Sequence, residues 1–129
     1  MNYQQDWLMK QIETLVNFLA HVVLQKNTMQ YENIDKSNLS QTELLFTEME
    51  KLTNQGNICE AENLLYEMLD TGDNKHLELA IDFYQTINLL NDEELANCNF
   101  SRKEIYEGLA EVIKKFGLQD LMSSIFPEA

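Results

Sequence analysis

From Asn2 to Lys26 the apolar positions Leu8, Ile12, Leu15, Val16, Leu19, Val22 and Val23 recur at steps of three and four, the stripe of one long amphipathic helix. At the helical rise per residue it would be about 35 Å long. Trp7 and Phe18 point almost the same way, about a quarter-turn off the centre of the stripe, and widen the apolar face. Covering so wide a face takes two layers of this chain or a second subunit. Tyr3, Trp7, Phe18 and Val22 are therefore the candidate interface residues. Burial of these side chains in the chain's own core is the simpler competing reading.

Asn27 to Asn38 is polar and aperiodic, so 27–39 reads as a linker. Ser40, three residues before Glu43, forms a candidate capping box for a helix running through Leu44, Leu45, Met49 and Leu52 to a stop at Gly56-Asn57. Ile58, Ala61, Leu64, Leu65, Met68 and Leu69 mark the buried side of the next helix. Asp70-Thr71-Gly72-Asp73 closes that helix and caps another. From Asn74 to Leu90 two stripes overlap, Leu77-Ala80-Ile81-Tyr84-Ile87 and Leu79-Phe83-Leu90, which places this helix in the middle of the fold. Asn91 to Phe100 is polar with room for one turn at 92–96. Ser101 and Glu104 repeat the capping box before a helix that buries Ile105, Leu109, Val112, Ile113 and Phe116 and ends at Gly117, with Lys114 and Lys115 in its last turn. A short final helix, 118–126, uses Leu121, Met122 and Ile125 and stops before Pro127.

The expected fold is all-α, with five to six helices in one domain over 1–129: a long N-terminal helix (1–26), a linker (27–39) and an antiparallel helical-hairpin bundle (40–129). Composition agrees. One proline and four glycines leave few residues for the turns of a many-stranded β protein.

Two stretches resemble known patterns. Gly56-Asn57-Ile58-Cys59-Glu60-Ala61-Glu62-Asn63-Leu64-Leu65-Tyr66-Glu67-Met68-Leu69 resembles the second helix of a tetratricopeptide repeat, with Gly56 at the turn and Ala61 at the close crossing. Ala80, Phe83, Tyr84 and Ile87 echo Ala61, Leu64, Leu65 and Met68 at an offset of nineteen, against a repeat period of about thirty-four in such arrays. Asp6-Trp7-Leu8-Met9-Lys10-Gln11-Ile12-Glu13 leading into Leu19-Ala20, with the helices after it, resembles an uncharacterised family of small helical proteins from Gram-positive bacteria, a domain of unknown function. That resemblance implies helices and a cytoplasmic setting and supplies no catalytic motif.

Nine basic residues against twenty-two acidic ones leave a net charge of -13. Such a surface repels a polyanion, so no nucleic-acid partner is expected; mimicry of nucleic acid is a lesser alternative to simple solubility. The apolar run Leu15 to Leu24 is interrupted by Asn17 and His21 and is too short for a bilayer, and the polar face of the first helix is not basic, so no membrane partner is expected either. No secretory signal is visible at Met1 to Asp6. Cys59 and Cys98 read as reduced, buried thiols in a cytoplasmic protein.

The chemistry-bearing residues form no catalytic pattern. His21 and His76 stand outside any metal-ligand spacing and read as surface or boundary histidines. Glu104, Glu107 and Glu111 share one helix face, which reads as solvated. Asp70, Asp73 and Glu78 lack the order of a calcium loop, and capping accounts for Asp73. No phosphate-binding or nucleophile motif occurs. The expectation is a non-enzymatic, cofactor-free interaction module that binds a protein partner or pairs with itself as a homodimer through its first helix. The alternative is a small-molecule binder or small enzyme with an apolar pocket among the helices at 58–69, 74–90 and 102–116, using Tyr66, Tyr84 or Tyr106 as a polar contact.

Overall fold

The computed structural model describes residues 3–30, 36–120 and 123, with side chains placed for 6–23, 42–120 and 123. Six helices follow in order: α1 (Tyr3–Gln30), α2 (Lys36–Asn54), α3 (Ile58–Met68), α4 (Asn74–Asn88), α5 (Asp92–Asn97) and α6 (Arg102–Lys115). Among the described residues there is no strand, and the helices pack on one another as an all-α bundle. Leu121, Met122, Ile125 and Pro127 of the expected last helix lie outside the described residues, as do Tyr31 and Ile34.

The linker expected at 27–39 is largely helical instead. α1 continues to Gln30 and α2 starts at Lys36, so Ser40 lies inside a helix rather than at its N-cap. Residues 27–30 and 36–40 contain no glycine or proline, and polar residues without hydrophobic periodicity still propagate a helix once neighbouring turns have nucleated it.

The other helix ends follow local chemistry. Asp73 accepts a hydrogen bond from the Lys75 amide at 2.9 Å, and Asn91 with Glu94 forms a reciprocal capping box at the start of α5. Ser101 accepts from the Glu104 amide at 3.2 Å. The ends of α2, α5 and α6 share one device, in which Gly56, Asn99 and Gly117 take positive φ. Each is followed by an amide that reaches back to the helix: Asn57 N–H to Leu52 O (2.8 Å), Phe100 N–H to Leu95 O (3.0 Å) and Leu118 N–H to Ile113 O (2.9 Å). These 6→1 bonds satisfy carbonyls that the helix leaves open.

The two stripes of α4 are the reason it lies at the centre, against α1, α2 and α6. Leu77, Leu79, Ala80, Ile81, Phe83, Tyr84 and Ile87 are all buried. α1 crosses α4 and α6, and α2 pairs with α3 across the turn at 55–57. Among the described side chains of α1 the buried ones run from Ile12 to Val23. On the N-terminal side of that stretch Asp6 and Trp7 are exposed.

Candidate functional site

Position along the helix axis separates the two aromatics of α1. Phe18 and Val22 are buried, and Trp7, three turns nearer the N-terminus, is 59% exposed. Phe18 and Val22 thus belong to the chain's own core, and Trp7 is the member of the interface set with a free face. The Tyr3 side chain lies outside the described residues.

The tyrosines at 66 and 84 do meet, but as part of a partly buried hydrogen-bond chain and not as the wall of a pocket. Tyr84 donates to Glu62 Oε2 at 2.5 Å, Tyr66 donates to the Gly108 carbonyl at 2.9 Å, and the two phenol oxygens are 3.0 Å apart. Gly108, buried in mid-α6, leaves the space they occupy: a Cβ there would stand 2.4 Å from Tyr84 Oη and 2.6 Å from Glu62 Oε2. Burial pushes the Glu62 carboxyl above its ordinary range and Glu104 adds to this, with the Tyr84 hydrogen bond opposing. Burial also raises Tyr66 and Tyr84, Tyr84 most strongly because it is the more deeply buried, and the Glu62 carboxylate adds to both. Tyr84 is fully buried and stays protonated, which makes it a donor that ties α3, α4 and α6 together and unfit as a base. Tyr106 is only partly buried and packs against the core.

Arg102, the chain's one arginine, was visible in the sequence only as a residue count. It is buried at the start of α6, where its guanidinium donates to Asn88 O (2.7 Å), Asn88 Oδ1 (3.0 Å), Leu90 O (2.9 Å) and Asp92 Oδ1 (2.9 Å). This fork fixes the end of α4, whose last carbonyls need partners, against α5 and α6.

The remaining candidates are surface or boundary groups. His21 is exposed, and His76 is half-buried with Nδ1 accepting from the Asp70 amide at 3.0 Å. Glu104, Glu107 and Glu111 are exposed, on the solvated face expected for them. Cys59, expected to be buried, is exposed, because it sits a hundred degrees round α3 from buried Ile58. Burial and the carboxylates Glu104, Glu62 and Glu60 raise its thiol pKa, which disfavours the reactive thiolate. Among the described residues no group of three or more His, Cys, Asp or Glu could hold a metal ion, and no helix is long and apolar enough to cross a membrane.

Open space lies on the other side of α4. α1 and α2 both rest on α4, and residues of all three helices line a shallow concavity of about 730 Å³ that is open to solvent. Ala20 and Val23 of α1, Phe46 of α2 and Leu79 and Ile81 of α4 supply its apolar surface; Glu43, Glu78 and Asp82 stand at its edges with Lys75. A smaller hollow of about 110 Å³, sharing Phe46, Leu79 and Asp82, extends it towards Met49, Glu50 and Thr86. Phe46 is 39% exposed. Together the two form a groove along α4 from Lys75 to Thr86, about 16 Å or three helical turns.

Residues 2–117 match one family model, a family of unknown function (DUF6483). The chain belongs to that family. No curated protein and no solved structure matches the chain. DUF6483 membership thus fixes relationship without adding a substrate or partner, and function has to be argued from the groove and the buried chain.

Proposed function

We propose that this DUF6483 chain is a non-enzymatic binding module that receives an amphipathic helical segment of a protein partner in the groove along α4. The carrying observation is the groove itself: an apolar trough about three helical turns long, with the Phe46 ring partly free over it. Three turns match the i, i+3, i+4 and i+7 anchors by which a helix seats in a hydrophobic groove. The non-enzymatic part rests on the buried chain, where the most perturbed group, Tyr84, is closed to any substrate and held as a proton donor. Free cysteines agree with a reducing, cytoplasmic setting.

The test is binding of synthetic amphipathic helical peptides to the full chain, followed by calorimetry. Truncating a central aromatic anchor costs on the order of tenfold or more in affinity, so Phe46→Ala weakens binding by that factor and Trp7→Ala leaves it unchanged. Binding that survives Phe46→Ala, or no binding at all, overturns the reading. The exposed Trp7 supports self-association through the start of α1 as a second reading; a dimer seen by light scattering and dissociated by Trp7→Ala would establish it.

A further inference from the structure

The edges of the groove carry more information than its apolar floor. Glu43 on α2 and Glu78 and Asp82 on α4 line it, and against them stands Lys75, already paired with Glu78 at 3.4 Å. One Glu78 oxygen is closed off from water and has no hydrogen-bond partner, so that ion pair is its polar contact. Glu43 and Asp82 are exposed. Resting on the groove reading above, we infer that the occupant is a cationic amphipathic helix, whose apolar face covers Phe46 and Leu79 and whose flanking lysines or arginines meet Glu43 and Asp82.

Charge complementarity selects among occupants. An acidic or neutral helix would leave the carboxylates desolvated at the rim without counter-charges, and like charges juxtaposed across an interface act against the wrong partner. A second copy of this chain is disfavoured for the same reason, since each copy carries a net charge of -13. A nucleic acid is excluded by the same sign of charge. The rim also predicts kinetics: carboxylates around an apolar trough steer a cation and raise its association rate, with a steep dependence on ionic strength.

The probes are three synthetic amphipathic peptides of about five helical turns, built from leucine with lysine, with glutamine or with glutamate on the polar face, titrated into the full chain. The lysine peptide binds one to one, and Glu43→Gln with Asp82→Asn weakens it about threefold to tenfold, chiefly in the association rate. Glu107→Gln with Glu111→Gln, which removes the same net charge from an exposed face of α6, leaves binding unchanged. If both double variants weaken binding equally, the attraction is diffuse and the inference falls. Equal binding of all three peptides, still lost in Phe46→Ala, leaves the groove reading standing and overturns the cationic occupant. Absence of binding by any peptide overturns both, and a Phe46-dependent dimer in light scattering would assign the groove to a second copy.

Discussion

Replacing Gly108 by alanine tests whether the buried hydrogen-bond chain sets the spacing of α3, α4 and α6. In an exposed helix interior this change stabilises by about 1 kcal/mol, because glycine is the poorer helix former. Here the new methyl would lie 2.4 Å from Tyr84 Oη and 2.6 Å from Tyr84 Cζ and from Glu62 Oε2, about 1 Å inside ordinary contact. Tyr84 has no exposed surface through which to retreat. Overpacking costs about 1–3 kcal/mol, and displacing the phenol breaks buried hydrogen bonds worth about 1–3 kcal/mol when left unmade. Setting the propensity gain against these, Gly108→Ala destabilises by about 1–5 kcal/mol. Urea unfolding followed by circular dichroism measures it. A second pair of variants locates the cause. Tyr84→Phe removes the nearest clash, with Oη, but keeps Cζ, so it relieves Gly108→Ala only in part; Tyr84→Leu removes both ring carbon and hydroxyl, and the double variant shows a favourable coupling of at least about 1 kcal/mol. A Gly108→Ala protein as stable as the parent, or one equally relieved by Tyr84→Phe and Tyr84→Leu, refutes the argument.

Arg102→Met leaves the carbonyls of Asn88 and Leu90 and the Asp92 carboxylate without their donors and costs about 3–5 kcal/mol in urea unfolding, and Arg102→Lys recovers little of it, because an ammonium cannot fork to both sides. Burial holds the Glu62 pKa above its ordinary value in the folded chain, so its stabilising contribution is complete below the ordinary carboxyl range and is lost as pH rises through the folded value; relative to Glu62→Gln, the wild type therefore loses stability as pH rises above the ordinary carboxyl range, and a relative gain in that direction in parallel unfolding series would contradict the raised pKa. Phe18→Ala costs about 3–5 kcal/mol as a core truncation, while Trp7→Ala changes monomer stability by less than about 0.5 kcal/mol, a contrast that thermal unfolding at low protein concentration resolves.

What the sequence reveals here and what it hides separate along one line: features with a local period were legible, and features set by how the helices pack on one another were not. The double stripe of α4 announced its central place, and Ser101, Asp73, Gly56 and Gly117 announced helix ends, because each acts within a turn of its own position. Trp7 and Phe18 share a helical direction, which periodicity reads correctly, yet one is exposed and the other buried, because burial also depends on axial position. Tyr66 and Tyr84 could be named as polar groups among the right helices. Their partners Glu62 and Gly108 could not, since a glutamate on a helix face and a glycine inside a helix look the same whether or not a phenol lies against them. A glycine in the middle of an otherwise regular helix was the one available signal. It costs helix stability unless something else needs the space, and at position 108 that something is the Tyr84 hydroxyl. The groove was illegible for the converse reason: Phe46 was not among the α2 positions Leu44, Leu45, Met49 and Leu52, and only the packing of α1 and α2 on α4 puts it beside Ala20, Val23 and Leu79. Its acidic lining, which composition could register only as net charge, gains meaning from that packing, because the same carboxylates spread evenly over the bundle would select no partner.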